Sequence, residues 1–205
     1  MVKKNIINAI KNLEYLTRRY RKVNSPVFWV FLDTERIDNY ENFILLLPNK
    51  SNIGIIFRSK ALESKYHKAK KLLKICKKKK LLFIIADNSK LALALGAYGV
   101  HLSKKTRFVK KYNNLRYFCS VHGFNDKRRI NNLRAELVFI APVFKTTSSK
   151  LKKPLGLNFL GILAKYINCK YAVIGGISFD NVRLLRGRNV SSFGGLTYIT
   201  KFLDK

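Results

Sequence analysis

Two glycine pairs near the C-terminal end of the chain are the residues best suited to hold an anion. Gly175-Gly176 follows the apolar run Tyr171–Ile174, and Gly194-Gly195 follows the run Val190–Phe193. Each pair puts backbone N–H groups, with no side chain in the way, just past the end of a predicted strand, where they can donate to phosphate oxygens. Arg58 and Lys60 lie two residues apart past the run Ile53–Phe57. Both can reach an anion at that end if the chain turns there. His122 follows a further run, and imidazole is the side chain whose ordinary pKa suits proton transfer near neutrality. Each of these has a plainer reading. Arg58 and Lys60 are also what surface cations look like in a basic chain, and a histidine past a strand is often a hydrogen-bonded structural residue. His101 is read in that structural way, and His67 as a solvated helix residue. Asp87 can help cap the helix that follows it, and Asp33 stays open between a structural and a functional role.

These residues need elements to position them, and counting the apolar runs supplies eight: Val27–Leu32, Ile53–Phe57, Leu81–Ala86, Gly99–Leu102, Tyr117–Val121, Leu137–Ala141, Tyr171–Ile174 and Val190–Phe193. Most are near-continuous rather than alternating, as parallel strands buried on both faces require. Helical patterns lie between several of them. Leu62, Tyr66, Ala69, Leu72 and Leu73 share one face of a lysine-rich stretch, and Leu91, Leu93 and Leu95 run from an N-cap at Asn88-Ser89 to a C-cap at Gly96. Ser178 opens a segment containing Val182 and Leu185, and Ile6, Ile10, Leu13 and Leu16 mark an N-terminal helix at helical spacing. Strand–helix alternation alone suits a doubly wound sheet as well. The glycine pairs after runs seven and eight favour an α/β chain folded as a single (β/α)8 TIM barrel with an additional N-terminal helix over its bottom.

At 205 residues the chain has room for one such barrel, close to the lower limit of about 200. Residues 1–24 are read as the added helix and 25–205 as the barrel. No apolar stretch approaches the roughly 20 residues that cross a bilayer. The basic, amphipathic start resembles a transit peptide, but Glu14 and the lack of serine argue against one. Cys76, Cys119 and Cys169 are isolated and odd in number. They read as small buried hydrophobes of a cytoplasmic protein. The net charge of +31 fits a polyanion partner, or a genome whose base composition favours Lys, Asn and Ile codons. Its cations are spread along the chain apart from Lys77–Lys80, a run at a predicted helix C-terminus, and the aromatics sit in strands. The compositional reading is preferred. Nucleic acid is therefore not expected as a partner, nor a membrane, while small phosphorylated substrates would still be drawn in.

Four segments, in order, carry a resemblance. Ile85-Ala86-Asp87-Asn88 through Leu102 resembles the strand-3-to-strand-4 passage of thiamine phosphate synthases and their TenI (thiazole tautomerase) relatives. Cys119-Ser120-Val121-His122 is similar to the family's strand-5 Ser-x-His motif. The stretch Ala141-Pro142-Val143-Phe144 to Lys150, followed by Pro154-Leu155-Gly156-Leu157, resembles its strand-6 phosphate loop. Ile174-Gly175-Gly176-Ile177 to Val182, with Asn181, resembles its strand-7 signature. The resemblance runs from Asp33 to the C-terminus. It implies a thiamine-biosynthetic enzyme in which Arg58 and Lys60 hold the pyrophosphate of a pyrimidine substrate and Asp87 binds Mg²⁺. Thr146 and Ser148 would bind phosphate. Gly175, Gly176, Gly194 and Gly195 would form the thiazole-phosphate turns, with backbone donors at Gly176 and Gly195. His122 would be the proton-moving residue of the tautomerases. A homodimer is one assembly the family implies.

The departures are selective. Ile56 replaces a glutamine, Ala86 an asparagine, and Ser103-Lys104-Lys105-Thr106 stands where the synthases carry Gly-Gln-x-Asp, whose aspartate is the second Mg²⁺ ligand. The strand-6 loop has Lys145 in place of proline, and its lysine is displaced to Lys150. The pyrophosphate-and-metal half is eroded, while the thiazole-phosphate half and His122 persist. A tautomerase, which needs no cofactor, is therefore slightly favoured over a Mg²⁺-dependent synthase that joins the pyrimidine and thiazole phosphates with loss of pyrophosphate. A non-catalytic phosphate- or nucleic-acid-binding barrel is the third reading.

Overall fold

The structure, a computed structural model, describes residues 2–20, 25–35, 37, 39–49, 52–60, 65–104, 106, 110–146 and 153–195. Eight strands close into one parallel barrel, each paired with the next and the eighth with the first. They are β1 Phe28–Asp33, β2 Ile53–Arg58, β3 Leu82–Ala86, β4 Gly99–Leu102, β5 Arg116–Val121, β6 Leu137–Ile140, β7 Tyr171–Ile174 and β8 Ser192–Gly194. The helices are α1 Val2–Thr17, α2 Tyr40–Leu46, α3 Lys65–Lys79, α4 Ser89–Leu95, α5 Lys127–Leu133 and α6 Gly156–Ile167. Between β4 and β5 the described residues form no helix, and between β7 and β8 they form a 3₁₀ turn, Val182–Leu185.

The period of two along each strand splits the apolar residues between two cores. Outward residues such as Ile55, Phe57, Ile85, Val100, Cys119, Ile140 and Val173 pack under helices that contribute Leu72, Cys76, Leu160 and Leu163. Inward residues Trp29, Ile56, Ile84, Phe118, Leu137, Phe139 and Ala172 fill the barrel. Trp29, the single tryptophan of the chain, is 1% exposed and lies against Gly54 on β2. A Cβ at Gly54 would sit 2.3 Å from the indole. Burying side chains of this size contributes about 1.5–3 kcal/mol each.

The predicted caps of α4 are present: the Asn88 side chain accepts from the Leu91 N–H at 2.9 Å, and Gly96 ends the helix at φ +61°. Ala92 is the buried residue of α4, while Leu93 faces solvent. On α3 the buried face is Ala69, Leu72, Leu73 and Cys76, and Tyr66 points outward instead of sharing it. Leu62 lies outside the described residues. Lys79 is no solvated member of the lysine run, since its Nζ donates to Leu45 O at 2.9 Å and Asn49 Oδ1 at 2.8 Å. The α1 helix buries Ile6, Ile10 and Leu13, and Glu14 accepts from the Asn52 side chain just before β2. That contact sets α1 against the N-terminal ends of the strands, leaving their C-terminal ends for the site. Burial pushes the Cys76 and Cys119 thiols up to about 12, consistent with inert packing groups. Among the described residues no helix is long and apolar enough to cross a membrane.

Candidate active site

Most of the described residues singled out from the sequence lie at the C-terminal ends of the strands. His122 stands just past β5, half-buried. Its Nδ1 lies 2.7 Å from Ala141 O at the end of β6. A carbonyl only accepts, so Nδ1 carries the hydrogen and the basic lone pair falls to Nε2. The His122 backbone N–H donates to Asp126 Oδ2 at 2.9 Å. Ring and backbone are thus held from two different elements.

His101 occupies the interior below. It is 3% exposed on β4, its Nε2 lies 3.0 Å from Ser120 Oγ, and Phe31 and Phe139 meet it edge-on at 5.4 and 5.3 Å. Loss of solvation pushes its pKa down to about 4, so the ring is neutral near neutral pH. Its Nδ1 has no partner among the described residues. The structural reading of His101 holds in part: it is hydrogen-bonded, but inside the barrel and beneath the mouth.

Asp87 follows β3 in the left-handed region at φ +55°, which aspartate tolerates better than most residues. Its N–H donates to His101 O at 2.8 Å. Its Oδ1 accepts from the Ser103 N–H at 2.7 Å and from the Thr106 hydroxyl at 2.6 Å. It does not cap α4, a role that Asn88 fills. Among the described residues no three His, Cys, Asp or Glu side chains are grouped to share a cation. Mg²⁺ on a pyrophosphate takes one or two carboxylates together with substrate oxygens and water. Asp87 is one carboxylate with one oxygen doubly hydrogen-bonded, and the segment facing it supplies Ser103 and Thr106. These residues do not fit a two-carboxylate magnesium site.

The cations separate. Arg58 ends β2 exposed, opposite Asp33 in register. Lys60 is turned to Glu35 instead: Nζ lies 3.1 Å from Oε2, and the Lys60 N–H donates to Oε1 at 2.8 Å. Those bonds, the backbone one foremost, hold the Glu35 carboxyl below its usual range. A pair this exposed adds little to stability.

The glycines answer to packing as well as to a ligand. Gly175 and Gly176 have φ +87° and +70°. A Cβ on Gly175 would meet Pro142 at 2.7 Å, and one on Gly176 would meet Lys145 O at 2.3 Å. The β7 turn therefore sits directly on the β6 loop. Gly176 O accepts from the Asn181 side chain at 2.7 Å, and no acceptor among the described residues takes the Gly176 N–H. Gly194 is buried within β8, where a Cβ would strike Ile174 at 2.5 Å. The Gly195 N–H is already committed to Trp29 O at 3.0 Å, which weakens its expected part as an anion donor. Thr146 is half-buried on the β6 loop. Ser148, with Lys105 and Lys150, lies outside the described residues.

Sequence reasoning passed over Asp126 and Arg129. Arg129 on α5 donates through Nη1 to Ser103 O at 2.8 Å and through Nη2 to Ser120 O. It also pairs with Asp126 at 3.2 Å. One arginine among 42 cations carries no local signal that would mark it.

Comparison with known proteins places the chain in a family. The profile of the family described as thiamine monophosphate synthase matches residues 43–197. A thiamine-phosphate synthase of Prochlorococcus marinus (strain AS9601) is 29% identical over 164 residues, 77% of this chain and 47% of that protein. The chain thus spans about half the length of that relative. A protein of Aquifex aeolicus provisionally named thiamine-phosphate synthase 2 is 27% identical over 173 residues, 80% of this chain and 93% of its own length. Among solved structures, a thiamine phosphate pyrophosphorylase from Pyrococcus furiosus superposes with a TM-score of 0.70 at 20% identity, covering 86% of this chain and 88% of that one. That likeness speaks to the barrel alone. With the profile running from within α2 to beyond β8, and the motifs seated at the ends of the expected strands, the chain belongs to the thiamine monophosphate synthase family.

Proposed function

We propose that the chain is an isomerase of the TenI kind, a thiazole tautomerase acting on a phosphorylated thiazole carboxylate at the C-terminal end of the barrel. The observation that carries this reading is the 2.7 Å contact of His122 Nδ1 with Ala141 O. It presents Nε2 as the base, the form needed to start a proton shift. Nε2 takes a proton from the ring and, as imidazolium, returns one to the exocyclic carbon, so that the exocyclic double bond moves into the ring and the thiazole becomes aromatic. Giving up that proton returns the imidazole to its neutral form, and no other reactant is consumed. The Gly176 N–H and Thr146 on the β6 loop, with Ser148, would hold the phosphate. Electrostatic attraction from the basic surface would raise the encounter rate.

The second reading is thiamine phosphate synthase. The names of the relatives favour it, as does Arg58 at the mouth, a cation suited to a pyrophosphate. The single carboxylate at Asp87 counts against it.

Purified protein supplied with the thiazole carboxylate tautomer, or with thiazole phosphate and the pyrimidine pyrophosphate, each with and without Mg²⁺, separates the two. Conversion of the tautomer without Mg²⁺ is expected, and His122→Ala should slow it about 10²- to 10⁴-fold. Mg²⁺-dependent release of pyrophosphate in place of tautomer conversion would install the second reading. An unchanged rate in His122→Ala, with phosphate binding retained, would remove the histidine from the mechanism.

A further inference from the structure

The guanidinium of Arg129 stands at the centre of a chain of contacts across three strand ends. The residue belongs to α5, yet its side chain reaches inward: 19% of it is exposed, against 14% for the side chain of its partner Asp126. Nη1 donates to Ser103 O, just past β4, at 2.8 Å. Nη2 donates to Ser120 O within β5 and lies 3.2 Å from Asp126 Oδ1. From Ser103 the chain continues backward, because the other side of that residue, its N–H, is held by Asp87 Oδ1 at 2.7 Å. From Asp126 it continues forward, because Oδ2 accepts the His122 N–H at 2.9 Å. Carboxylate, peptide, guanidinium, carboxylate and the His122 backbone therefore follow one another without a break from the end of β3 to the residue past β5.

We infer that Arg129 is a positioning residue for His122, acting through Asp126 and the Ser103 and Ser120 carbonyls, and that Asp87 anchors the far end of the same frame. The assignment of a role in turnover rests on the tautomerase reading; the geometric part does not. An ordinary surface pair at i, i+3 would explain the Asp126 contact alone. It would not explain why the same guanidinium also binds two carbonyls from neighbouring strand ends. Those contacts need the rigid planar fork of arginine. A lysine is a point charge on a flexible stem and does not replace it. The ring of His122 is held separately by Ala141 O just past β6, so the frame fixes where the backbone presents the ring. The Ala141 contact then selects the tautomer. If the backbone shifts, Nδ1 leaves the carbonyl and both tautomers become populated.

The test uses the full chain with Arg129→Lys and Asp126→Asn, each checked for cooperative unfolding. The Arg129→Lys variant keeps the charge and most of the volume, so it is expected to fold. Nitrogen-15 NMR of histidine-labelled protein reads the tautomers of the three histidines without any turnover. The His122→Ala protein assigns the His122 signals. In the parent His122 is expected as the Nδ1–H form, and in both variants as a mixture. With the thiazole carboxylate as substrate, kcat should fall about 10²-fold while KM changes less than about twofold, since the phosphate turn lies across β6 on β7. Binding of inorganic phosphate should likewise persist. A folded Arg129→Lys with His122 still in the single Nδ1–H form would overturn the inference. So would a loss of KM with kcat intact. If the parent fails to turn over the thiazole, the tautomerase reading falls, and the NMR comparison alone decides the frame.

Discussion

His101 is the residue whose surroundings have the largest consequence for acid behaviour. It lies among Phe31, Phe139 and Ser120, and burial takes its pKa from 6.5 down to about 4. The unfolded chain, with its ordinary histidine, takes up a proton first as the pH falls. Its contribution to stability is therefore complete above about pH 6.5 and lost between there and about pH 4, up to about 3 kcal/mol. Asp87, Arg58, Arg129 and His122 also act on it, the first favouring the charged ring and the others opposing it. Denaturant titrations near pH 7 and near pH 4.5 should show this loss, and His101→Gln should remove most of the difference. An equal loss in the variant would place the acid sensitivity elsewhere. At this scale the sequence was legible where a residue sits at a motif's fixed offset. His122 and Asp87 are singled out that way. Their partners were not, because Asp126 meets Arg129 through one turn of local structure and Arg129 meets Ser103 only after β4 and β5 have paired.

The strands were legible to within a residue or two, and the shifts have causes, whereas α2, α5 and α6 were not singled out. The third run was expected to start at Leu81, but that N–H closes the end of α3 by donating to Cys76 O at 2.9 Å, after Lys80 has entered the left-handed region at φ +57°. The eighth was expected from Val190, but Asn189 also turns left-handed and the strand begins at Ser192. Helical content between β7 and β8 shrank to a 3₁₀ turn. There Ser178 and Asn181 bond to one another's backbones, at 2.9 Å for the Ser178 N–H to Asn181 Oδ1, in competition with a regular helix. The β7 turn makes a prediction of its own. Gly176→Ala adds a methyl 2.3 Å from Lys145 O at φ +70°, and should cost about 2 kcal/mol or more in a denaturant titration. If the variant is as stable as the parent, the close seating of the β7 turn on the β6 loop is wrong. The same substitution should weaken phosphate binding, since it moves the β6 loop that carries Thr146.

For the whole molecule the strand count could be read from the apolar runs, because parallel strands buried on both faces have a simple one-dimensional signature, and the glycine pairs then favoured the barrel over an open sheet. What the charge does could not be read that way. With 42 Lys and Arg against 11 Asp and Glu, most cations have no acidic partner available, and self-repulsion works against the compact state. The lysine-rich α3 carries no acid, and Lys71 reaches across to Glu41 on α2 at 2.7 Å. Raising the ionic strength from about 20 mM to about 300 mM shortens the screening length roughly fourfold. The melting temperature should rise with it, in chloride as well as in sulfate. A flat or falling profile in chloride would mean that local ion pairs outweigh the net repulsion.

The contact of Trp29 with Gly54 ties the history of two positions together. The indole occupies the space that any side chain at position 54 would claim, so neighbouring strands share a single allotment of volume that only one of them can fill. Neither position can drift alone. A descendant of this chain that acquires a larger residue at 54 must first, or at once, give up the tryptophan, and the pair is inherited as one character written in two places.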